Sequence, residues 1–282
     1  GLNVLVVESG GEDRSPTVQK LYQGTSSGAL GNIELDETRV RRFGGTTSVW
    51  GGYCRPLQAI DFRKPSWLSH SGWPIRLDDL EPYYRQAIET LDLGAHEWAS
   101  RTVAARNGLE LPQFGNMPVR TATYQFSTPT RFGEKYREDL GAAVDVRVWL
   151  HANLVNIALA PGGDRVVSIE CKTLDNTTIH VDANKYVLAM GGIENPRILL
   201  ASNDVQPEGV GNEHDQVGRY FMEHPRLFGA PGIMVTRNDP AFDAYLGRRE
   251  LEFRDAARPQ GQQAVGLFTL EVTPRVRDEQ EL

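Results

Sequence analysis

The chain of 282 residues carries only two cysteines, Cys54 and Cys171. They lie far apart and fit no metal or redox spacing, which excludes a disulfide framework and a thiol-based metal motif; both read as plain reduced side chains. Long apolar runs are missing as well. No stretch of about eighteen apolar residues occurs, so no helix of this sequence is expected to span a bilayer. Peripheral attachment through another subunit stays open, and so does the compartment: soluble, cytoplasmic or periplasmic. Basic residues are in deficit, 30 against 37 acidic ones for a net charge of −7, with a pI near 5.5. Such a chain repels phosphate backbones, which argues against general nucleic-acid binding. The six histidines, His70, His96, His151, His180, His214 and His224, show no zinc spacing and no Ser–His–Asp array, so no metal site is expected. No internal repeat or low-complexity tract is visible. The first residue is Gly1, and neither a charged n-region nor an apolar h-region follows it, so the start reads as a truncated one and says nothing about targeting.

What is present is globular. Hydrophobic residues make up 40% and charged residues 24%, enough for a substantial core, and the length suits about two ordinary domains or one large α/β unit with an inserted part. Val4-Leu5-Val6-Val7 is a short apolar, β-branched run that ends at Glu8 and Ser9-Gly10-Gly11, the pattern of a parallel strand and its exit turn. Residues 13–38 are polar and Gly-rich, a loop with short helix. The pattern predicts a helix over 78–93, capped by Asp78 or Asp79 and stopped at Gly94, and a second over 132–140. Strands are expected at 144–150, 154–159, 165–173 and 177–181, the last three as a β-meander, and at 186–190, where Tyr186 to Met190 runs into Gly191-Gly192. Asn195-Pro196 is then expected to open a helix through Ala201. Further strand-like pieces lie at 232–236 and 264–272.

Three places bear residues suited to chemistry, and each has a plain structural alternative. Glu8, at the end of its strand, stands where an acidic residue binds ribose hydroxyls in dinucleotide-binding βαβ units; it reads equally as a solvent-facing strand-end acid. In Arg41-Arg42-Phe43-Gly44-Gly45-Thr46-Thr47-Ser48-Val49-Trp50-Gly51-Gly52, glycines let backbone N–H groups approach a ligand, short hydroxyls add donors, and the arginines offset anionic oxygens. The alternative is a polar surface loop. Gly191-Gly192-Ile193-Glu194-Asn195-Pro196 is a strand–glycine–helix junction that exposes donors at a helix start, or a simple tight turn.

Taken in order, Val4 to Glu8, Arg42 to Gly52, Asp61-Phe62, Ser71-Gly72-Trp73-Pro74-Ile75, Leu80-Glu81-Pro82-Tyr83-Tyr84, His151 to Val155, Val187 to Arg197 and Gly218 to Pro225 resemble the glucose–methanol–choline (GMC) oxidoreductases, and within them the branch of pyranose oxidase and the gluconate and fructose dehydrogenase flavoproteins. The resemblance covers most of the chain through Pro225 and fades beyond Arg226.

That resemblance implies an α/β fold: an FAD-binding, Rossmann-like parallel-sheet domain with a β-meander over 1–60 and 143–225, interleaved with an α+β substrate domain over 61–142 and 226–282, cut short at both ends. It implies FAD, with Glu8 on the adenosine ribose, Arg42, Gly44, Gly45, Thr46, Thr47, Ser48 and Gly52 near the diphosphate and flavin, and the backbone of Leu154 at the adenine. Ala189, Gly191 and Asn195 would line the cleft, with His224 in support. In pyranose oxidase a histidine of the glycine-rich loop anchors the flavin covalently; Val49 stands in its place, so non-covalent FAD is expected. The implied reaction is hydride transfer from the CH–OH group of a sugar, sugar acid, polyol or other alcohol to flavin, then to oxygen, a quinone or a cytochrome subunit. The family's catalytic histidine falls beyond Leu282, so this stretch alone is expected to be inactive. Another FAD-binding reductase or monooxygenase, or a non-catalytic scaffold of the same fold, remains as the alternative.

Overall fold

The structure is a computed structural model that describes residues 1–28, 34–66, 69–127, 130–222, 240–245, 249–252 and 263–272. His224 and the strand expected at 232–236 lie outside the described residues. In chain order the elements are β1 (Val4–Val7), α1 (Pro16–Gln19), β2 (Tyr53–Cys54), α2 (Leu77–Thr90), α3 (Ser100–Arg106), β3 (Val119–Phe126), α4 (Phe132–Lys135) and α5 (Arg137–Ala142). They continue with β4 (Val146–Trp149), β5 (Asn153–Leu159), β6 (Val166–Lys172), β7 (Thr178–Val181), α6 (Gly191–Ala201), β8 (Arg249–Glu252) and β9 (Gln263–Val272).

The chain divides into two compact units, 1–49 with 131–230 and 50–130 with 231–282. The joins fall at 49/50 and 130/131, ahead of the expected 60/61 and 142/143. The reason is local pairing: β2 forms a ladder with β3, whereas α4 packs on the 3-10 turn Gly45–Ser48.

In the first unit β1 pairs parallel with β4, Val4 opposite Val146 through Val7 opposite Trp149. Both strands therefore end at the same edge. At that edge His151 takes a left-handed φ of 59° and folds the chain back, so that its N–H reaches Gly10 O at 3.0 Å and Ala152 N–H reaches Glu8 O at 3.1 Å. Next comes the antiparallel meander β5–β6–β7, with α6 packed against β5. Cys171 and Ile198 lie fully buried there.

Three local expectations change. Residues 186–190 form no strand: Val187 is 86% exposed, and no described strand runs beside the segment to complete a ladder, without which extended backbone has no hydrogen-bond partner. Helix α6 begins at Gly191 rather than at Asn195-Pro196. Asn195 Oδ1 accepts from Met190 N–H at 3.0 Å and its Nδ2 donates to Leu188 O at 3.2 Å, so this side chain ties down the entry from one turn inside the helix. The helix expected at 132–140 is two, α4 and α5, broken at Tyr136 where φ is −103° and ψ is 5°.

The second unit is built on the antiparallel sheet β2–β3–β9–β8. Its core gathers Ala95, Val103, Ala104, Ala244, Leu251 and Phe268. Helix α2 starts one residue before the expected acidic caps; Asp79 serves from its third position, accepting from Arg76 N–H at 2.8 Å. Asp92, not Gly94, takes the left-handed turn after it, with φ 56°. Gly94 N–H instead meets the buried Gln125 side chain at 2.9 Å, and Gln125 Nε2 returns a bond to Ala95 O at 2.7 Å. Those two bonds pin the loop after α2 onto β3.

Candidate functional site

At the carboxyl edge of β1 and β4, three chain segments are drawn together: 8–11, 39–48 and 151–153. In open α/β sheets this edge is where ligands bind. Gly10 makes the approach possible. A Cβ there would sit 2.4 Å from Arg41 O and 2.5 Å from Arg42 Cα, so only a bare backbone lets the 8–11 turn lie against the arginine segment. Phe43 N–H closes the contact on Gly11 O at 2.9 Å.

Glu8 is half-buried at this edge. Its carboxylate accepts from Gly10 N–H at 2.6 Å and from Ser9 Oγ at 3.3 Å. Burial raises its pKa above the usual carboxylate value, and the bonds from Gly10 and Ser9 and the charge of Arg41 only partly offset that.

Beside it lies a group that motif reading missed. Glu194, 4% exposed, receives Arg39 Nη1 at 2.9 Å, Arg41 Nη2 at 3.1 Å and Arg197 Nε at 2.8 Å. Arg41 also donates to Asn153 Oδ1 at 3.2 Å. The guanidinium carbons of Arg39 and Arg41 lie 3.9 and 4.2 Å from the centroid of the Tyr22 ring. Burial alone would raise the pKa of Glu194, but the hydrogen bonds from Arg197 and Arg39 and the charges of Arg197 and Arg41 outweigh it and hold the carboxyl below its usual value. The sequence signal was present, an acid in the first turn of α6 and a cluster of arginines at 39–42, but nothing in their spacing joins residues more than 150 positions apart.

The glycine-rich loop is a 3-10 turn, Gly45–Ser48. Gly44 has φ 84°, and a Cβ on it would lie 2.4 Å from Gly133 N. The hydroxyls expected to face a ligand are engaged within the loop. Thr46 Oγ1 accepts from Val40 N–H at 3.2 Å, Thr47 Oγ1 donates to Gly44 O at 2.5 Å and accepts from Phe132 N–H at 3.3 Å, and Ser48 Oγ donates to Gly45 O at 2.8 Å. Val49 is exposed. Leu154 sits in the meander opposite Cys171, Ala189 is exposed before α6, and Gly191 opens α6 with φ 89°. Gly52 belongs to the second unit. Among the described residues no three His, Cys, Asp or Glu side chains gather as a metal site, and no helix is long and apolar enough to cross a membrane.

Compared with known proteins, residues 18–226 match the family described as GMC oxidoreductase. The chain therefore belongs to the GMC oxidoreductases, a family of FAD-binding α/β proteins. It is 27% identical over 263 residues to 2-methyl-1,2-propanediol dehydrogenase of Mycolicibacterium austroafricanum, covering 76% of this chain and 47% of that protein. A stretch of 65 residues is 41% identical to the fructose dehydrogenase large subunit of Gluconobacter japonicus, 23% of this chain and 12% of that protein. Among solved structures, a formate oxidase aligns with a TM-score of 0.45 at 14% identity, over 71% of this chain and 43% of that one. The chain spans about half the length of the propanediol dehydrogenase and less of the fructose dehydrogenase subunit.

The residues present suit a flavin dinucleotide. A diphosphate needs N–H donors that the protein has not already used, and Arg41 Nε and Arg42 Nε are buried with no partner. A large planar cofactor needs bare backbone, and a Cβ on Gly45, Gly191 or Gly192 would meet nothing within 4 Å.

Proposed function

We propose that this chain is the flavin-holding part of an oxidoreductase that acts on the CH–OH group of an alcohol, sugar, sugar acid or polyol. The observation that carries the reading is the meeting of Glu8 with the arginine segment, where the Nε atoms of Arg41 and Arg42 are buried without partners, at one edge of a parallel strand pair. In this reading the unit of 1–49 and 131–230 holds FAD and the unit of 50–130 and 231–282 serves the substrate. FAD, when bound, supplies the two-electron acceptor. Glu8 accepts the adenosine ribose hydroxyls, and Arg42 with the backbone of Gly44 and Gly45 balances the diphosphate. Leu154 offers its backbone to the adenine, and Ala189, Gly191 and Asn195 line the cleft. Thr47 and Ser48 hold the loop in shape, since their hydroxyl protons already go to Gly44 O and Gly45 O, while Thr46, whose oxygen accepts from Val40 N–H, keeps its hydroxyl proton for the ligand. Val49 has no atom able to bond a flavin carbon, so FAD is held non-covalently. The relative named a large subunit supports an electron-accepting partner subunit; oxygen or a quinone are the other acceptors.

The test is the visible spectrum of the native full-length protein, recorded without oxygen before and after adding a panel of alcohols, sugars and sugar acids. A flavin band that bleaches with one of them, and flavin released by acid precipitation, support the reading. A band that bleaches only with a reduced nicotinamide would replace it with a flavin reductase, and protein without flavin would overturn it.

A further inference from the structure

Arg41 takes no part in the contacts proposed above, yet three elements anchor it at the strand edge. From α1, Gln19 Oε1 accepts its backbone N–H at 3.2 Å, and Gln19, itself buried, donates from Nε2 to Arg39 O at 2.6 Å. From β5, Asn153 Oδ1 takes Nη1 at 3.2 Å. From α6, Glu194 Oε2 takes Nη2 at 3.1 Å. The Tyr22 ring lies against the guanidinium, 4.2 Å from its carbon. These contacts fix the guanidinium plane of a side chain only 9% exposed, and its Nε–H is left buried without a partner. A buried donor on a charged group forfeits more than a neutral one when unpaired, so an acceptor brought to it is strongly favoured. The nearby carboxylate does not supply one. Arg41 acts on Glu8 through its charge, but the Glu8 oxygens take Gly10 N–H and Ser9 Oγ instead.

We propose that Arg41 reads a ribose hydroxyl of the flavin dinucleotide, donating from Nε to the oxygen whose proton goes to Glu8, and that Glu194 is the positioning residue that holds Arg41 in place for it. The proposal rests on the flavin reading and adds to it the donor half of the ribose contact. A hydroxyl suits the pair because it donates and accepts at once. A phosphate oxygen only accepts, and would set an anion against Glu8.

The test is fluorescence titration of the full-length protein, stripped of its flavin, with FAD and with its 2′-deoxyadenosine and 3′-deoxyadenosine analogues. Wild type is expected to bind at least one analogue about tenfold more weakly than FAD, the loss of a hydrogen bond between charged and neutral groups. Arg41→Lys keeps the cation beside Glu194 but has no Nε–H, so FAD should weaken about tenfold and the preference over that analogue should disappear. Partial unfolding would weaken all three flavins alike and leave the preference intact. Glu194→Gln, which does not touch the flavin, should lose part of the preference because Arg41 is less firmly held. Wild type that binds all three flavins equally, or Arg41→Lys with an undiminished preference, would overturn the proposal; an undiminished preference in Glu194→Gln would overturn the positioning role. Full-length protein that takes up no flavin at all would overturn the flavin reading itself, so the two failures are told apart.

Discussion

Replacing Glu194 by alanine tests the buried ion cluster directly. The side chains of Glu194, Arg41 and Arg39 are 5%, 9% and 13% exposed, so removing the carboxylate strands two guanidinium groups away from water. Breaking a buried pair by deleting one partner costs about 3–5 kcal/mol, mostly because the remaining charge stays desolvated. Arg197, half in solvent, adds little. The same substitution loosens Arg41 and Arg39 from the Tyr22 ring. The expected loss of about 3–5 kcal/mol corresponds to a drop in Tm on the order of 10 °C for a chain of this length. Glu194→Gln keeps the volume and one acceptor and should lose a smaller part. Urea unfolding followed by circular dichroism gives the number. A loss below about 1 kcal/mol for Glu194→Ala, the range of exposed pairs, would mean that the arginines find water and that the cluster does not hold this edge together. The pH dependence offers a second reading of the same group. Its carboxyl is held below the usual value in the folded chain, so its contribution is complete above the ordinary carboxylate pKa and is lost as pH falls through the folded one. Wild-type stability should therefore fall faster on acidification than that of Glu194→Gln.

Gly10→Ala should destabilise by more than about 2 kcal/mol because its Cβ meets backbone atoms that cannot swing away, whereas Gly45→Ala, with φ 55° and open space around it, should cost only about 1 kcal/mol of backbone strain; equal losses in urea melts would refute the packing argument. Cys171 is fully buried and Cys54 half-buried, and burial raises both thiol pKa values, so a thiol reagent at pH 8 should label neither quickly, and Cys171 only on unfolding. Glu8→Gln should leave stability at neutral pH unchanged or slightly higher, since burial disfavours the charged form, while lowering the flavin retained after gel filtration; a large fall in Tm would refute the first half, and full flavin retention the second.

The strands were legible because their patterns are local. Val4–Val7, the meander over 153–181 and the strand over 263–272 declare themselves by β-branched runs and turn residues. Tyr186 to Met190 carries the same apolar pattern and forms no strand, because pairing depends on a neighbour that a single segment does not encode. Helix ends were misread where one side chain overrides the cap rules: Asn195 ties the entry of α6 from inside the helix, and Asp79 caps α2 from its third position. Within the site, spacing singles out Glu8 and the glycines as candidates but does not say which partners Thr46, Thr47 and Ser48 take, since short hydroxyls beside a glycine turn bond either a ligand or their own backbone, and the sequence is the same in both cases.

Arg41 links these observations. One guanidinium stands near both Glu8 and Glu194, and its charge favours the ionised form of each. The two carboxylates nevertheless shift in opposite directions. Glu194 takes hydrogen bonds from Arg39, Arg41 and Arg197, which fully compensate its burial. Glu8 is left with one backbone N–H and one hydroxyl, and its burial prevails. The protein thus spends its cations on the carboxylate that holds the edge together and leaves the one at the strand end short of donors. A short-handed carboxylate at the mouth of a parallel strand pair is stabilised by whatever brings hydroxyls to it, and a ribose brings two. The incomplete solvation of Glu8 is therefore what the proposed role requires: a group fully satisfied by its own chain would gain little from a ligand.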